Sequence, residues 1–592
     1  MKAYWLPLLL VSSAFAITPS TNLIANIPGR TTVSLNGEWH AIVDPFENGV
    51  SAGIFRDEKP RTKSDRVEYS FDLSPVLNVP GDWNTQREAL MFYEGPVWYR
   101  REFEYHKRPG MRVFVYFGAA NYRAAVYLNG EKLGEHEGGF TAFNFEVTSL
   151  LREGGNFLIV EVNNARWADG VPALKFDWWS YGGITRDVSL IEVPDTFVQD
   201  YWVQLAHGSQ NEIAGWVKLN GPQVRQQVTL EIPEAHVREV LKPDFGGLAT
   251  FRFAAKVELW SPEHPKLYDV ILTSGNDTVR DQIGFRMIEV EGTKILLNGK
   301  PIFLRGISMH EEAPFRGGRA FSAEDAQTLL GWVKELGCNF VRFAHYPHNE
   351  NEVRLADRMG LLVWSEIPVY WDVDWANPAT LANAQAQLRD MIARDHNRAA
   401  VILWSLSNET PVKAERTAFL KQLASDARGL DDTRLITSAM NHVDHTSADV
   451  RTLSDPLGEV LDVLGVNEYL GWYEGRPEDA DRMQWKSNWN KPLIVSEFGG
   501  GAPAGRHGDV DERWTEEYQD NLFQHQLAMI EKMPGLAGIT PWVLMDFRSP
   551  ARLLPGVQDY HNRKGVISDR GERKMAFYTL QKFCRKMAQA GK

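Results

Sequence analysis

Residues 401–409 read VILWSLSNE, a nearly unbroken apolar run that ends on a serine, an asparagine and a glutamate. A strand with one wet face alternates apolar and polar residues, whereas a strand covered on both faces reads as a continuous run like this one. Seven further runs share the texture: IFLRGIS (302–308), NFVRFAH (339–345), LLVWSEI (361–367), LITSAM (435–440), VLGVNEY (463–469), LIVSEFG (493–499) and AGITPWVL (537–544). Helix-like stretches lie between them, among them EDAQTLLGWVKELG (324–337) and LANAQAQLRDMIARD (381–395). Strand, loop and helix repeated eight times over 289–592 predict a (β/α)8 barrel.

Upstream the texture is different. From 17 to 195, short alternating runs such as RVFVYFG, AAVYLNG and NFLIVEV are separated by Asn-Gly and Gly-Gly turns, as in an all-β sandwich. From 196 to 288 a second set, WVKLN, VTLEI, ATFRFAAKV and YDVILTS, fills a span of immunoglobulin size. The first sixteen residues, MKAYWLPLLLVSSAFA, have one lysine, an apolar run and an A-x-A end, the pattern of a cleaved secretory signal. Export to the periplasm or beyond the cell is therefore expected. No later run is long enough to span a membrane. A net charge of -13 argues against nucleic acid or an anionic membrane surface as a bulk partner. The 20 tryptophans and 29 phenylalanines suit a packed core and also offer flat faces to sugar rings. The two cysteines, Cys338 and Cys584, form no paired motif and are expected to be free, buried thiols. A homo-oligomer is compatible with all of this.

In a (β/α)8 barrel the chemistry collects at the C-terminal strand ends. Those ends read Ser308 to His310, His345, Glu366, Asn408 with Glu409, Asn467 with Tyr469, Glu497, and Trp542. Glu409 and Glu497 follow the fourth and seventh strands and so face one mouth. A carboxylate at a buried strand end costs desolvation energy unless it is paired or used. Two of them suit glycosidic hydrolysis: one protonates the leaving oxygen, and the other attacks the anomeric carbon or activates water. Their separation in space would decide which. His345 and His348 form an H-x-x-H pair, but the proline of HYPH breaks the helix that a metal site of this spacing needs. No metal and no cofactor is expected, and His345 is read as a sugar-hydroxyl contact.

VPGDWN, YEGPVWYRREF, LNGEKLGEHEGGFTAF, NFVRFAHYPHNE, WSLSNE and IVSEFGG follow one another along nearly the whole chain. In these motifs the sequence resembles glycoside hydrolase family 2. The resemblance implies a sugar-binding jelly roll, an immunoglobulin-like sandwich and a catalytic barrel. It makes Glu409 the acid/base, Glu497 the nucleophile of a retaining double displacement, and Asn408 the partner of the sugar 2-hydroxyl. It also sets Arg342 and Tyr469 beside the nucleophile; Asn467 and Trp542, from their places at strand ends, are read as facing the substrate.

The loop YHNRKG (560–565) follows the eighth strand and rises from the same face. In an extended stretch Asn562 and Lys564 share one side and Arg563 takes the other, which makes a short carboxylate clamp. This N-x-K-G is similar to the signature of β-glucuronidases within the family, as are SEFGGGAPAGRHG, GISMHEEA and VNEYLGWYEG. By the same resemblance Arg552 of SPARLLPG joins the clamp, and Asp177 of FDWWSYGGITRD reaches the sugar from the first domain. The expected substrate is a uronic-acid glycoside or oligosaccharide. β-Galacturonidase and β-galactosidase are the alternatives within the family; the interval from Arg552 to Asn562 is longer than the family pattern, and a clamp tilted by it would favour a galacturonide or a uronic acid within an oligosaccharide. A non-catalytic carbohydrate-binding protein is the alternative outside it, and the intact contexts of both glutamates argue against that.

Overall fold

The computed structural model describes residues 22–590 apart from 61, 63 and 65–67, so the leader-like residues 1–16 lie outside the described residues. Eight parallel strands close into a barrel in chain order: β1 Leu304–Met309, β2 Phe340–Phe343, β3 Leu362–Glu366, β4 Val401–Asn408, β5 Leu435–Met440, β6 Leu464–Asn467, β7 Leu493–Glu497 and β8 Leu536–Ile539. Six of the runs quoted above contain their strand whole, and those of β1 and β8 miss it by one residue. All residues of β2 to β7 are buried, which is why their sequences do not alternate.

Six α-helices pack outside the strands: α1 Ala323–Glu335, α2 Glu350–Met359, α3 Pro378–Asp395, α4 Ala414–Leu430, α5 Glu516–Ile530 and α6 Met575–Ala590. The first shows why such segments are helical. Ser322 accepts from the Asp325 N–H at 3.0 Å while Asp325 accepts from the Ser322 N–H at 3.2 Å, a reciprocal cap. Ala326, Leu329, Leu330 and Val333, at i, i+3, i+4 and i+7, are the buried stripe.

The expected strand-helix alternation fails in two units. After β5 and β6, short 3-10 turns, Pro456–Glu459 and Pro477–Arg482, stand in place of α-helices. Each opens on a proline and is too short to present an apolar stripe. A three-stranded sheet of Val443–Ser447, Val450–Leu453 and Gln484–Ser487 occupies this side instead.

The first domain is a sandwich. A six-stranded sheet, centred on Pro96–Tyr105 and Gly154–Asn163, faces a four-stranded one centred on Val188–Pro194 and Met111–Phe117. Trp39, Trp83, Tyr99, Val115 and Val160 fill the space between them. The second domain packs Phe197–Leu205, Glu212–Asn220 and Leu248–Ala254 against a four-stranded sheet whose Asp277–Ile283 strand alternates strictly between buried and exposed.

Both sandwiches are fixed to the barrel by buried polar contacts. Arg186 of the first reaches Glu311 at 3.0 Å and the Pro347 carbonyl at 2.7 Å. Asn397 of the barrel accepts from the Val203 N–H of the second at 2.9 Å. Among the described residues no helix is long and apolar enough to cross a membrane.

Cys338, two residues before β2, and Cys584, in α6, are both buried, free thiols with 4.0 Å between their sulfurs. Burial keeps reagents out. Native protein is therefore expected to resist a thiol reagent that finds two thiols after denaturation. Two fast-reacting thiols in the native state would contradict this packing.

Candidate active site

Glu497 ends β7 and Arg342 lies on β2, and the barrel brings their side chains into contact. The Arg342 guanidinium, fully buried, donates to Glu497 Oε1 at 2.8 Å, to Glu366 Oε1 at 2.9 Å and to Asn408 Oδ1 at 2.7 Å. The Tyr469 hydroxyl donates to the other Glu497 oxygen at 2.8 Å. Glu497 is thus fixed through both oxygens, as an attacking carboxylate must be.

Arg342 serves two carboxylates, and it serves them unequally. Burial pushes Glu366 up, but the Arg342 charge and the His345 bond outweigh it and hold the carboxyl at about 2. Glu366 also accepts from the Trp364 indole at 2.9 Å and the Ser405 hydroxyl at 3.0 Å. Glu497 has fewer partners, so burial dominates and, with the Glu409 charge adding to it, pushes the carboxyl up to about 7 against the pull of Arg342. This reverses the simple expectation of a strongly acidic nucleophile, and the reason is that its cation is shared. With Glu497 as the attacking group only its ionised form can react, and kcat/KM is then expected to rise with pH along an acid limb near 7. A flat profile from about pH 5 to 8 would contradict this electrostatic picture.

Glu409 follows β4 in a left-handed backbone conformation, φ 50°. Its Oε1 accepts from the Asn467 amide at 3.0 Å and its Oε2 from the Trp371 indole at 3.0 Å. Neutral donors therefore hold this carboxyl, while a cation holds Glu497. Asn467 ties the two together, because its own oxygen accepts from Ser496, the neighbour of Glu497, at 2.7 Å. Asn408 Oδ1 is filled by Arg342, leaving the buried Asn408 Nδ2 without a partner among the described residues. An orphan buried donor is costly until something accepts from it.

His345 Nδ1 lies 2.7 Å from Glu366 Oε1, and its Nε2 lies 3.8 Å from Glu497 Oε1. Burial lowers its pKa, and Nδ1 lies between Glu366 and Arg342, whose Nη2 is 3.1 Å away. Nε2 is turned toward Glu497. The ring of Trp542 stacks on His345 with centroids 4.8 Å apart. His348 points elsewhere, to Glu352 at 2.7 Å and the Ala344 carbonyl at 3.1 Å, so the H-x-x-H pair does not converge.

The first domain enters the mouth through FDWWSYGG. The Trp178 ring packs 5.8 Å from His345 and 5.0 Å from Tyr370. Asp177 accepts from Arg552 Nε at 2.9 Å, from Ser549 at 2.6 Å and from Asn562 at 3.1 Å. Asp177 and Arg552 thus neutralise each other.

Asn562 belongs to a two-residue strand that pairs with Phe547–Arg548. Arg563 turns away to Asp569 at 2.9 Å. Gly565 is required by close approach, since a Cβ there would lie 2.2 Å from the Asp546 nitrogen. Lys564 is buried; its ammonium donates to the Tyr473 hydroxyl at 2.7 Å and sits 4.8 to 5.9 Å from the ring centres of Tyr473, Tyr469 and Trp472 rather than beside a carboxylate.

Three participants, Trp371, Tyr473 and Trp178, are not singled out by the sequence, and Glu366 is marked there only by its position. Glu366 carried a signal, being a strand-end carboxylate like the other two. Tyr473 and Trp178 lie inside motifs that were read for their neighbours.

Residues 32–194 match the sugar binding domain of glycosyl hydrolases family 2, residues 196–286 match glycosyl hydrolases family 2, and residues 288–548 match the family's TIM barrel domain. A beta-glucuronidase of Paenibacillus borealis is 28% identical over 93% of this chain and 96% of its own length. The structure of Bifidobacterium dentium beta-glucuronidase complexed with coumarin-3-O-glucuronide superposes with a TM-score of 0.82 at 25% identity, covering 96% of this chain and 98% of that one. A beta-glucuronidase from Ruminococcus gnavus in complex with D-glucuronic acid gives 0.80 at 26% identity, covering 96% and 99%.

Proposed function

The chain belongs to glycoside hydrolase family 2, and from that premise we propose that it is a retaining, exo-acting β-glucuronidase. The observation that carries the substrate is Lys564: a buried ammonium held by a phenol and aromatic faces, with no carboxylate partner among the described residues, whereas Arg552 is already paired with Asp177. A buried cation without a counter-ion is costly, and a ligand carboxylate removes that cost. The C6 carboxylate of a glucuronide meets Lys564, Tyr473 and the Asn562 amide.

With the carboxylate there and C1 toward the barrel axis, the sugar 2-hydroxyl accepts from the orphan Asn408 amide. Glu497 attacks C1 as Glu409 gives its proton to the glycosidic oxygen; the C1–O bond breaks, an ester to Glu497 forms and the alcohol leaves. Glu409 then removes a proton from water, which attacks C1, breaks the ester and frees the sugar with its configuration retained. Arg342 and Tyr469 orient Glu497 in both steps.

The test is kcat/KM on aryl β-glucuronide, β-galacturonide, β-galactoside and β-glucoside in parallel. The glucuronide is expected to lead the neutral sugars by about tenfold or more, equivalent to at least about 1.4 kcal/mol. A leading galactoside or glucoside would overturn the substrate reading and leave the family untouched. A leading galacturonide would keep the carboxylate reader and change the 4-hydroxyl preference.

A further inference from the structure

Trp371 lies on the loop after β3, half-buried and in a left-handed conformation, φ 55°. Such a backbone is rare for a bulky residue and persists where the surroundings enforce it, most often at functional sites. Here they do enforce it. The Trp371 N–H donates to the Asn408 carbonyl at 3.0 Å, and Tyr370 bridges to the same residue. Glu409, next in sequence to Asn408, is itself left-handed, and the two side chains are joined by the 3.0 Å bond from the indole to Oε2. Tyr370 backs the indole with ring centres 4.6 Å apart. Two unusual backbones thus present one hydrogen-bonded pair to the mouth of the barrel.

An acid/base has to be aimed at the glycosidic oxygen, and the group that carries that oxygen must lie on its side of the sugar. Whatever holds Glu409 at Oε2 therefore borders the leaving group. The rim beside it holds Val412, 37% exposed, and the surface pair Lys413–Asp372 at 3.2 Å. The indole N–H is used by Glu409, so the ring offers its apolar face alone.

We propose that Trp371 is a positioning residue for Glu409 and that its indole walls a leaving-group subsite suited to flat, apolar aglycones such as aryl groups. This rests on the functional reading above. It makes the loop after β3 responsible for two separable effects, aiming the proton and holding the aglycone.

The experiment compares Trp371→Phe and Trp371→Ala with the unaltered enzyme on three glucuronides. Cyclohexyl glucuronide needs its leaving oxygen protonated, 2,4-dinitrophenyl glucuronide does not, and a naphthyl glucuronide has a large flat aglycone. Trp371→Phe keeps an aromatic face and loses the N–H. It is expected to lower kcat/KM on the cyclohexyl substrate on the order of tenfold or more, and on the dinitrophenyl substrate by less than about threefold. Trp371→Ala is expected in addition to raise KM for the naphthyl substrate over that of Trp371→Phe. Equal losses on the cyclohexyl and dinitrophenyl substrates would mean a merely structural role and overturn the positioning claim. An unchanged naphthyl KM in Trp371→Ala would overturn the subsite. Failure of the unaltered enzyme on all three would overturn the β-glucuronidase reading itself, and this proposal with it.

Discussion

Glu497→Ala is expected to lower kcat by a factor on the order of 10,000 or more while leaving the folded protein intact. The loss is large because the ester to Glu497 is the intermediate of both half-reactions, and no second carboxylate is presented in the same way. Glu366 shares Arg342 with Glu497, but is fully buried and enclosed by Arg342, His345, Trp364 and Ser405. The fold survives because Arg342, the buried charge that Glu497 helps to balance, keeps Glu366 at 2.9 Å. Circular dichroism and the unfolding midpoint check the fold; a fluorogenic glucuronide checks turnover. Undiminished turnover would remove Glu497 from the mechanism.

The second large effect is on specificity. Lys564→Ala is expected to lower kcat/KM on uronides by the worth of a charge-assisted hydrogen bond, about 1.5 to 3 kcal/mol, and to affect neutral glycosides much less. The Arg552 guanidinium does not replace the lost ammonium, since Asp177 already holds it. Stability is not expected to fall, because the variant removes a buried cation that has no carboxylate beside it among the described residues. Equal losses on glucuronide and glucoside would show that Lys564 shapes the loop rather than reads the substrate.

How much of this was legible in the chain follows from the physics of each part. The eight barrel strands were visible because burial on both faces leaves a continuous apolar run, and Glu409 and Glu497 were visible because each closes such a run. The missing helices after β5 and β6 were not, since the segments there carry Pro456 and Pro477 but no periodicity that announces what replaces a helix. The position of Glu366 was visible, but its role depends on a single arginine shared between β3 and β7, and that sharing raises Glu497 instead of lowering it. The bond from Asp177 to Arg552 joins residues 375 positions apart in different domains, which no local pattern records. Trp371 sits in a loop, where hydrophobic period says nothing about direction, and its left-handed backbone is a product of the contacts around it.

The most direct test of the whole account is covalent trapping. The enzyme is incubated with 2-deoxy-2-fluoro-β-D-glucuronyl fluoride, whose fluorine at C2 slows both steps while the fluoride leaving group favours the first, and the product is mapped by intact mass and peptide sequencing. The expected result is one glucuronyl group per chain, as an ester on Glu497, formed much faster than with the corresponding glucosyl fluoride. An adduct on another residue would contradict the mechanism, and faster trapping by the glucosyl reagent would contradict the carboxylate reader.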